Sequence, residues 1–305
     1  MEYVKICMHP RSPFSNLFTA DQIWGQMVWA VSAMQGEKEA ETFVDEFSDA
    51  PPFLVSMMLP KGVLPIPMVK PVKPEGNDEL DAQARKLLKH NKKCKWLTFE
   101  QFKAFQTDPK LLSKIELQDS FSFSSITETH VAINRLTNAP LKGQLYNANY
   151  FSSKGSEFVI YLSFLRDEES WKNRIIEIVS YLSRIGLGGD KAVGRGIFEM
   201  ELKELTKEEQ EVFSVHSNRF MTLSRCSGSN LVAMEYRVSL YTGIVGGSLS
   251  GNEGKGLFNK YPVLFFEPGS VFTSGTGCLL SDVHPDTRIK TYGYAFPVPL
   301  EYKKD

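Results

Sequence analysis

The sequence predicts an α+β protein whose first part folds as a ferredoxin-like βαββαβ unit. Two amphipathic helical segments and several short strand-like segments follow one another in the order strand, helix, strands, helix, strand, which suits that unit. A glycine-rich connection links the second helix to the last of these strands. We place a first domain, with insertions, at residues 1–205 and a second, strand-rich domain at residues 206–305.

The first strand and the first helix are indicated by local patterns. Apolar side chains alternate with other residues from Val4 to Met8, as in a strand with one buried face. Thr19 and Gln22 fit a capping box, in which the hydroxyl and the side-chain amide satisfy free N–H groups at a helix start. Apolar residues then recur at helical spacing, and Gly36 ends the helix.

The middle of the chain predicts strands joined by irregular connections. Phe53–Leu59 and Phe158–Leu165 are apolar and predict strands, while the prolines of Pro60–Pro67 require an extended path. Leu97–Phe105 predicts a short amphipathic helix. Residues 70–95 are rich in lysine and arginine, which fits either a solvated face or contact with a nucleic acid or a partner.

A hairpin is predicted after Thr129. Thr129–Leu136 fits a strand, and Tyr and Arg planes, which stack on unpaired nucleobases, occur near the following turn. The polar and planar residues assigned to the tip are Asn134, Arg135, Asn138, Lys142 and Tyr146. The hairpin is therefore a candidate for contact with single-stranded nucleic acid, although an ordinary hairpin with a surface arginine fits the same pattern.

The stretch with the strongest functional signal is the glycine-rich loop. It follows an amphipathic helix over Ile175–Ile185 and precedes a strand over Phe198–Leu202. Glycine lets a ligand approach the main chain closely, and exposed N–H groups beside cations suit phosphate oxygens. The candidate residues of this loop are Gly186, Gly188, Gly189, Lys191, Gly194, Arg195 and Gly196. The alternative is a glycine-rich connection that binds nothing.

The order of helix, loop and strand excludes two nucleotide-binding motifs. A Walker A loop and a Rossmann fingerprint each need a strand before the loop and a helix after it. In addition, Arg195 and Gly196 stand where a Walker A loop needs Lys and Ser or Thr. We therefore expect no ATP site, no dinucleotide site and no cofactor.

The second domain is expected to consist mostly of strands. It begins with another capping-box pattern at Thr206–Glu209. Strands are predicted over Met234–Val245, Tyr261–Phe266 and Tyr292–Leu300, and glycines crowd Gly243–Gly256 as in a loop.

Composition narrows the possible functions. A formal net charge of −1 over 305 residues means that a polyanion must be held by a local basic surface. The four cysteines form no CxxC pair, so we expect neither a zinc site nor a disulfide framework, and we expect a cytoplasmic protein. No apolar run is long enough to cross a bilayer.

One further segment carries residues that could bind a metal. Asp282–Asp286, which includes a histidine, fits a polar turn better than a metal site.

Taken together, these segments resemble the RAMP superfamily of CRISPR proteins. The glycine-rich stretch Gly186–Glu199 is similar to that superfamily's signature loop. Further matches cover nearly the whole chain and resemble the fourth Csm-type subunit of type III-A effector complexes. These matches are Thr19–Ala30, Pro60–Pro67, Asn134–Tyr146, Phe265–Phe272 and Tyr292–Gly293.

The resemblance implies a non-catalytic scaffold with two ferredoxin-like (RRM-like) domains and a thumb-like hairpin insertion. Such a subunit holds the 5′ repeat-derived handle of the CRISPR RNA (crRNA) in a complex for antiviral defence. It also contacts the large palm-domain subunit and the first backbone RAMP subunit. No membrane partner is implied.

The resemblance also implies roles for individual residues. The loop Gly186–Gly196 would line the handle, with Lys191 and Arg195 on phosphates. The hairpin that carries Asn134, Arg135 and Tyr146 would displace a base near the junction of handle and guide. Further candidates on the same RNA face, which follow the first strand, are His9, Ser12 and Asn16.

Three other interpretations of these residues stay open: two nucleases and an adaptor. Related RAMP proteins are metal-independent CRISPR repeat endoribonucleases that use a His, or a Tyr or Ser with a Lys, and His9 is the candidate base here. Related backbone subunits cut target RNA with an Asp after the first strand; Asp21 lies nearby but more simply complements the helix dipole. We expect no catalytic residue.

The remaining alternative is a protein–protein adaptor without RNA contact. In such a protein, Lys191 and Arg195 would be dispensable.

Overall fold

The computed structural model describes residues 2–68, 86–87, 89–91, 93–107, 116–117, 121, 123–152, 155–246 and 258–300. The helices are α1 (Ala20–Gln35), α2 (Glu37–Asp45), α3 (Phe99–Thr107), α4 (Glu168–Ile185) and α5 (Lys207–Phe213). The strands of the first part are β1 (Glu2–Pro10), β2 (Phe53–Val55), β3 (Leu59–Pro60), β4 (Val63–Pro65), β5 (Trp96–Thr98), β6 (Ser125–Asn134), β7 (Ala139–Phe151), β8 (Phe158–Phe164) and β9 (Phe198–Glu204). The later strands are β10 (Phe220–Thr222), β11 (Val232–Glu235), β12 (Val238–Tyr241), β13 (Val263–Phe266), β14 (Val271–Ser274), β15 (Gly277–Leu280), β16 (Thr291–Tyr294) and β17 (Pro297–Pro299).

The first part is built on an antiparallel sheet in the order β2-β8-β1-β9, with β3 also paired to β8. Strand β1 lies at the centre, where Met8 faces Phe158 on one side and Met200 on the other. Helix α4 packs on β9 and on α1. The mixed α/β class is therefore as predicted, and the central sheet and its two helices follow the order strand, helix, strands, helix, strand.

The sequence patterns explain which faces of this sheet are buried. In β9 the apolar residues Phe198, Met200 and Leu202 are less exposed than the charged residues between them, as the alternation predicts. All seven residues of β8 are buried, because structure covers both of its faces. On one face, helix α5 supplies that cover, and Phe213 packs on the ring of Tyr161 with centroids 5.1 Å apart.

Both predicted capping boxes form. At α5, the Thr206 N–H donates to the Glu209 carboxylate at 2.7 Å and the Glu209 N–H donates to the Thr206 hydroxyl at 3.3 Å. At α1, the Thr19 N–H donates to Gln22 Oε1 at 3.1 Å. The Thr19 hydroxyl also accepts a hydrogen bond of 2.6 Å from Arg225, so the start of α1 is tied to the second part of the chain.

The second part contains a four-stranded sheet in the order β11-β14-β10-β17 and the ribbons β12–β13 and β15–β16. After residue 206, the described residues form a single α-helix, α5, whereas a complete βαββαβ unit needs two. A second ferredoxin-like domain is therefore not confirmed. The two parts share one core, since Phe213, Leu223 and Tyr292 belong to the same apolar cluster as Val4 and Phe53.

Several strand and helix boundaries differ from the predictions; the predicted strand Tyr292–Leu300, for example, is two strands, β16 and β17, which belong to different sheets. The predicted strand Phe53–Leu59 is broken between β2 and β3, where the Ser56 hydroxyl accepts the Tyr161 N–H at 2.8 Å and interrupts the ladder. The predicted helix Leu97–Phe105 begins later, because β5 pairs with β4 as far as Thr98. The predicted strand Met234–Val245 is two strands, β11 and β12, which belong to different sheets.

Some predicted features lie outside the described residues. These are most of the basic segment 70–95 and much of the glycine-rich stretch Gly243–Gly256. None of the helices in the described ranges is at once long enough and apolar enough to span a bilayer.

Candidate nucleic-acid interface

The glycine-rich loop is closed by contacts that only glycine permits. Helix α4 ends at Ile185, and Gly186 has a φ of 82°. The Leu187 N–H donates to the Gly196 carbonyl at 2.8 Å. A Cβ atom on Gly196, whose φ is 68°, would lie 2.0 Å from the Leu187 carbonyl oxygen. Residues 186–196 therefore form a tight Ω-shaped loop whose two ends are held together.

A short 3₁₀ helix, Asp190–Val193, forms the tip of this loop. The N–H groups of Gly194 and Arg195 donate back into it, to the carbonyls of Lys191 and Asp190. Within the described residues, the N–H groups of Gly188 and Gly189 have no acceptor. The predicted set of exposed N–H groups is thus limited to the first half of the loop.

The Lys191 side chain lies against helix α1 instead of extending into solvent. Its Nζ atom is 3.8 Å from the centroid of the Trp29 ring and 3.2 Å from Gln26 Oε1. Partial burial lowers the pKa of Lys191 from its ordinary value. This cation is therefore held by a cation–π contact at the edge of the loop.

The Arg195 side chain joins the loop to the base of the β6–β7 hairpin. Its Nη2 atom contacts both carboxylate oxygens of Glu128, which lies on β6. Its guanidinium carbon is 5.1 Å from the centroid of the Tyr150 ring on β7. The side chains of Arg195 and Glu128 are 25% and 27% exposed, so a ligand can reach this ion pair from one side.

The hairpin itself is longer than predicted. It runs from Ser125 to Phe151, with a register shift between Val131 and Ile133. Asn134 and Arg135 lie at its turn, where Asn134 Oδ1 accepts the Leu136 N–H at 2.9 Å. The prediction that Tyr146 lies at the tip is wrong, because β7 begins at Ala139 and Tyr146 lies within that strand, opposite His130.

The side chains of the hairpin divide between its two faces. On one face, 58% of Tyr146 is exposed, and its ring stacks on His130 with centroids 5.4 Å apart. On the other face, Thr127 and Thr129 donate hydrogen bonds of 2.8 and 2.9 Å to Asn149 and Asn147. The hairpin thus carries an exposed aromatic ring close to the Arg195–Glu128 ion pair.

The three candidates near the first strand lie in different settings. His9 is the penultimate residue of β1 and does not follow it; its Nδ1 atom is 3.7 Å from Glu157, which also pairs with Lys61 at 2.5 Å. The Ser12 hydroxyl accepts the Ile197 N–H at 2.9 Å and thereby holds the end of the glycine-rich loop. The Asn16 amide donates to the Leu17 carbonyl and to the Gln22 side chain, which leaves it a local structural role.

The acidic candidates for chemistry are engaged with arginines. Asp21 lies 3.1 Å from Arg225, and both side chains are almost fully buried. Asp286 pairs with Arg288 at 2.7 Å and accepts its N–H, which makes a polar turn. Within the described ranges, no three His, Cys, Asp or Glu side chains come together as a metal site would require.

Sequence reasoning missed four residues that surround the loop. Glu128, Tyr150, Trp29 and Gln26 touch its two cations, although they lie far from it in sequence. Trp29 lies on α1 and is only partly buried, so one face of its ring is open to the Lys191 side chain. Nothing in the local sequence marks these residues, because their contacts arise only when α1 and the hairpin pack beside the loop.

Comparison with known proteins identifies relatives of a large part of the chain. The RAMP superfamily model matches residues 18–199, which is more than half of the chain. The CRISPR system Cms protein Csm4 of Thermococcus onnurineus is 23% identical over 212 residues, which cover 67% of this chain and 69% of that protein. The protein of the same description from Methanocaldococcus jannaschii is 28% identical over 96 residues, which cover 30% of this chain and 26% of that protein.

Solved structures show the same fold along the full length. The chain matches Csm4 in a crystal structure of a Csm1–Csm4 cassette in complex with pppApA, with a TM-score of 0.66, 19% identity and complete coverage of both chains. It also matches Csm4 in a Csm3–Csm4 subcomplex of the type III-A CRISPR-Cas interference complex, with a TM-score of 0.64, 15% identity, and coverage of 97% of this chain and 99% of that one. These matches agree with the resemblance found in the glycine-rich loop, and the chain belongs to the RAMP superfamily.

Proposed function

We propose that this chain is a non-catalytic, Csm4-like subunit of a type III-A CRISPR effector complex that holds the 5′ handle of the crRNA. One observation carries the proposal: a glycine-rich loop with two cations lies beside a long exposed hairpin in a RAMP protein. The likeness to Csm4 over the whole chain supports the subunit class.

The loop and the hairpin offer complementary chemistry to RNA. Lys191 and Arg195 supply positive charge, and the free N–H groups near Gly188 and Gly189 supply donors to phosphate oxygens. The exposed Tyr146 ring offers a stacking surface to an unpaired base. Phosphates held on the loop and a base stacked on the hairpin would together fix the path of a single strand.

The proposed partners follow from the relatives. Solved structures contain Csm4 together with Csm1 or with Csm3. We extend this to the present chain, which would link a large palm-domain subunit to a backbone RAMP subunit. In this assignment the β6–β7 hairpin is the thumb, and residues 206–305 are a degenerate second ferredoxin-like domain.

The geometry gives little support to an endoribonuclease. His9 pairs with Glu157, and the neighbouring cation, Lys61, is bound to the same carboxylate. General acid–base cleavage needs a second group placed to protonate the leaving oxygen. Asp21 is buried against Arg225 and cannot reach a substrate. We therefore infer that the chain binds RNA without cutting it.

The test uses the purified protein and 5′-labelled CRISPR repeat RNA in the presence of EDTA. Each sample is divided between a native and a denaturing gel. Retarded but intact RNA supports the proposal. A discrete product that disappears in the His9→Ala variant would make the protein a metal-independent endoribonuclease. RNA retention that survives charge reversal of both Lys191 and Arg195 would remove the glycine-rich loop from the binding site.

A further inference from the structure

The side of the Arg195 guanidinium where an anion would bind is already occupied by a carboxylate of the same chain. Both oxygens of Glu128 contact one nitrogen of the guanidinium. Carboxylate and phosphate present similar pairs of acceptor oxygens to arginine. Since Arg195 is also covered on one side by Tyr150, an incoming phosphate has to compete with Glu128 for the same donors.

We propose that Glu128 is an intramolecular substitute for an RNA phosphate and that handle binding displaces it from Arg195. This inference rests on the proposed function, because it concerns the same loop and the same ligand. It adds a residue that lowers the affinity for RNA, and it predicts that removal of this carboxylate strengthens binding.

A second position for the displaced carboxylate already exists on the hairpin. His130 Nε2 lies 3.7 Å from Glu128 Oε2, and this buried nitrogen has no hydrogen-bond partner among the described residues. A small rotation of Glu128 would give that nitrogen an acceptor. The His130 ring stacks on Tyr146, which is the ring proposed to stack on a base. Movement of Glu128 toward His130 would therefore also change the surroundings of Tyr146.

The displacement leaves the hairpin attached to the rest of the protein. At its base, Phe151 and Phe14 exchange two backbone hydrogen bonds of 2.7 and 3.3 Å. Tyr150 is buried, and the rings of Phe123 and Phe151 lie 4.4 Å apart. Glu128 lies further along the hairpin than these contacts, so its release changes a side-chain position and not the anchor.

The experiment compares the full chain with Glu128→Gln, which removes the charge and keeps the size. Glu46→Gln is the matched control, because Glu46 also pairs with an arginine, Arg166, at 2.7 Å. Arg166 follows the end of β8 that pairs with Glu2, so this ion pair lies at the far end of the sheet from the loop. Binding of 5′-labelled CRISPR repeat RNA is measured by fluorescence anisotropy. Arg195→Ala alone, and Arg195→Ala combined with Glu128→Gln, complete a double-mutant cycle.

The expected result is that Glu128→Gln lowers the Kd for repeat RNA by about threefold or more, whereas Glu46→Gln leaves it unchanged. The gain should disappear in the Arg195→Ala background, because the carboxylate then has no cation to block. Equal or weaker binding by Glu128→Gln, beside a wild-type protein that binds, would overturn this inference alone. Absence of RNA binding by every variant would overturn the proposed function and this inference with it.

Discussion

Replacement of Glu209 by alanine tests whether the two parts of the chain unfold together. Lys5 lies in β1 and Glu209 in α5, and their charged groups are 2.5 Å apart with side chains only 6% and 4% exposed. The second oxygen of Glu209 accepts the Tyr161 hydroxyl at 2.9 Å. One carboxylate thus joins the central sheet to the first helix of the second part.

The expected loss of unfolding free energy follows from the burial of this ion pair. Removal of one partner of a buried ion pair leaves the other charge without compensation, which costs about 3–5 kcal/mol. The lost cap at the Thr206 N–H contributes about 1 kcal/mol more. We therefore expect Glu209→Ala to lower the free energy of unfolding by about 4 kcal/mol or more, measured by urea denaturation with both circular dichroism and tryptophan fluorescence.

The matched control is Glu208→Ala, a change of the same type at the exposed neighbouring position. It should change the free energy of unfolding by less than about 0.5 kcal/mol. The reasoning would be refuted if Glu209→Ala and Glu208→Ala behaved alike. It would also be refuted if Glu209→Ala separated the two spectroscopic transitions, since one shared core predicts that both parts unfold together.

Three further outcomes are expected. Lys191→Glu should weaken repeat-RNA binding and reduce the slope of log K against log salt concentration by about 0.7, as expected for one lost phosphate contact on a single strand. Gly196→Ala should destabilise the fold by about 1–3 kcal/mol in denaturant titration, because its Cβ would lie 2.0 Å from the Leu187 carbonyl oxygen, whereas Gly189→Ala, with open space, should not. Burial lowers the pKa of Lys260 to about 8, so the unfolded chain binds more protons than the folded one above that pH. Stability should therefore rise by about 3 kcal/mol from pH 8 to 10.5, and the rise should be missing from Lys260→Met.

Local signals in the sequence predicted most of the central sheet and the loop that follows α4. Alternation in β9, the helical spacing of α4 and the glycine at its end are set by residues within a few positions of one another. The capping box at Thr206 is equally local. Such features can be inferred from one sequence because the backbone geometry depends on near neighbours.

The partners of the polar side chains could not be predicted in this way. Arg195 and Glu128 are 67 positions apart, and Tyr161 and Glu209 are 48 positions apart. Their contacts depend on where the hairpin and α5 pack, which local patterns do not specify. For the same reason, the sequence analysis predicted only a ligand as the partner of Lys191 and Arg195, whereas the fold gives each of them a partner within the chain.

The buried ion pair that stabilises the fold and the loop proposed to retain RNA lie at different ends of β1, so mutations can separate their effects. Lys5, near one end, carries the buried pair with Glu209, while Pro10, at the other end, pairs with Phe198 beside the glycine-rich loop. Five residues of strand place these ends about 17 Å apart, beyond the range within which substitutions usually interact. A loss of RNA binding in Arg195→Glu without a loss of unfolding free energy would therefore assign the effect to the phosphate contact and not to damage to the fold.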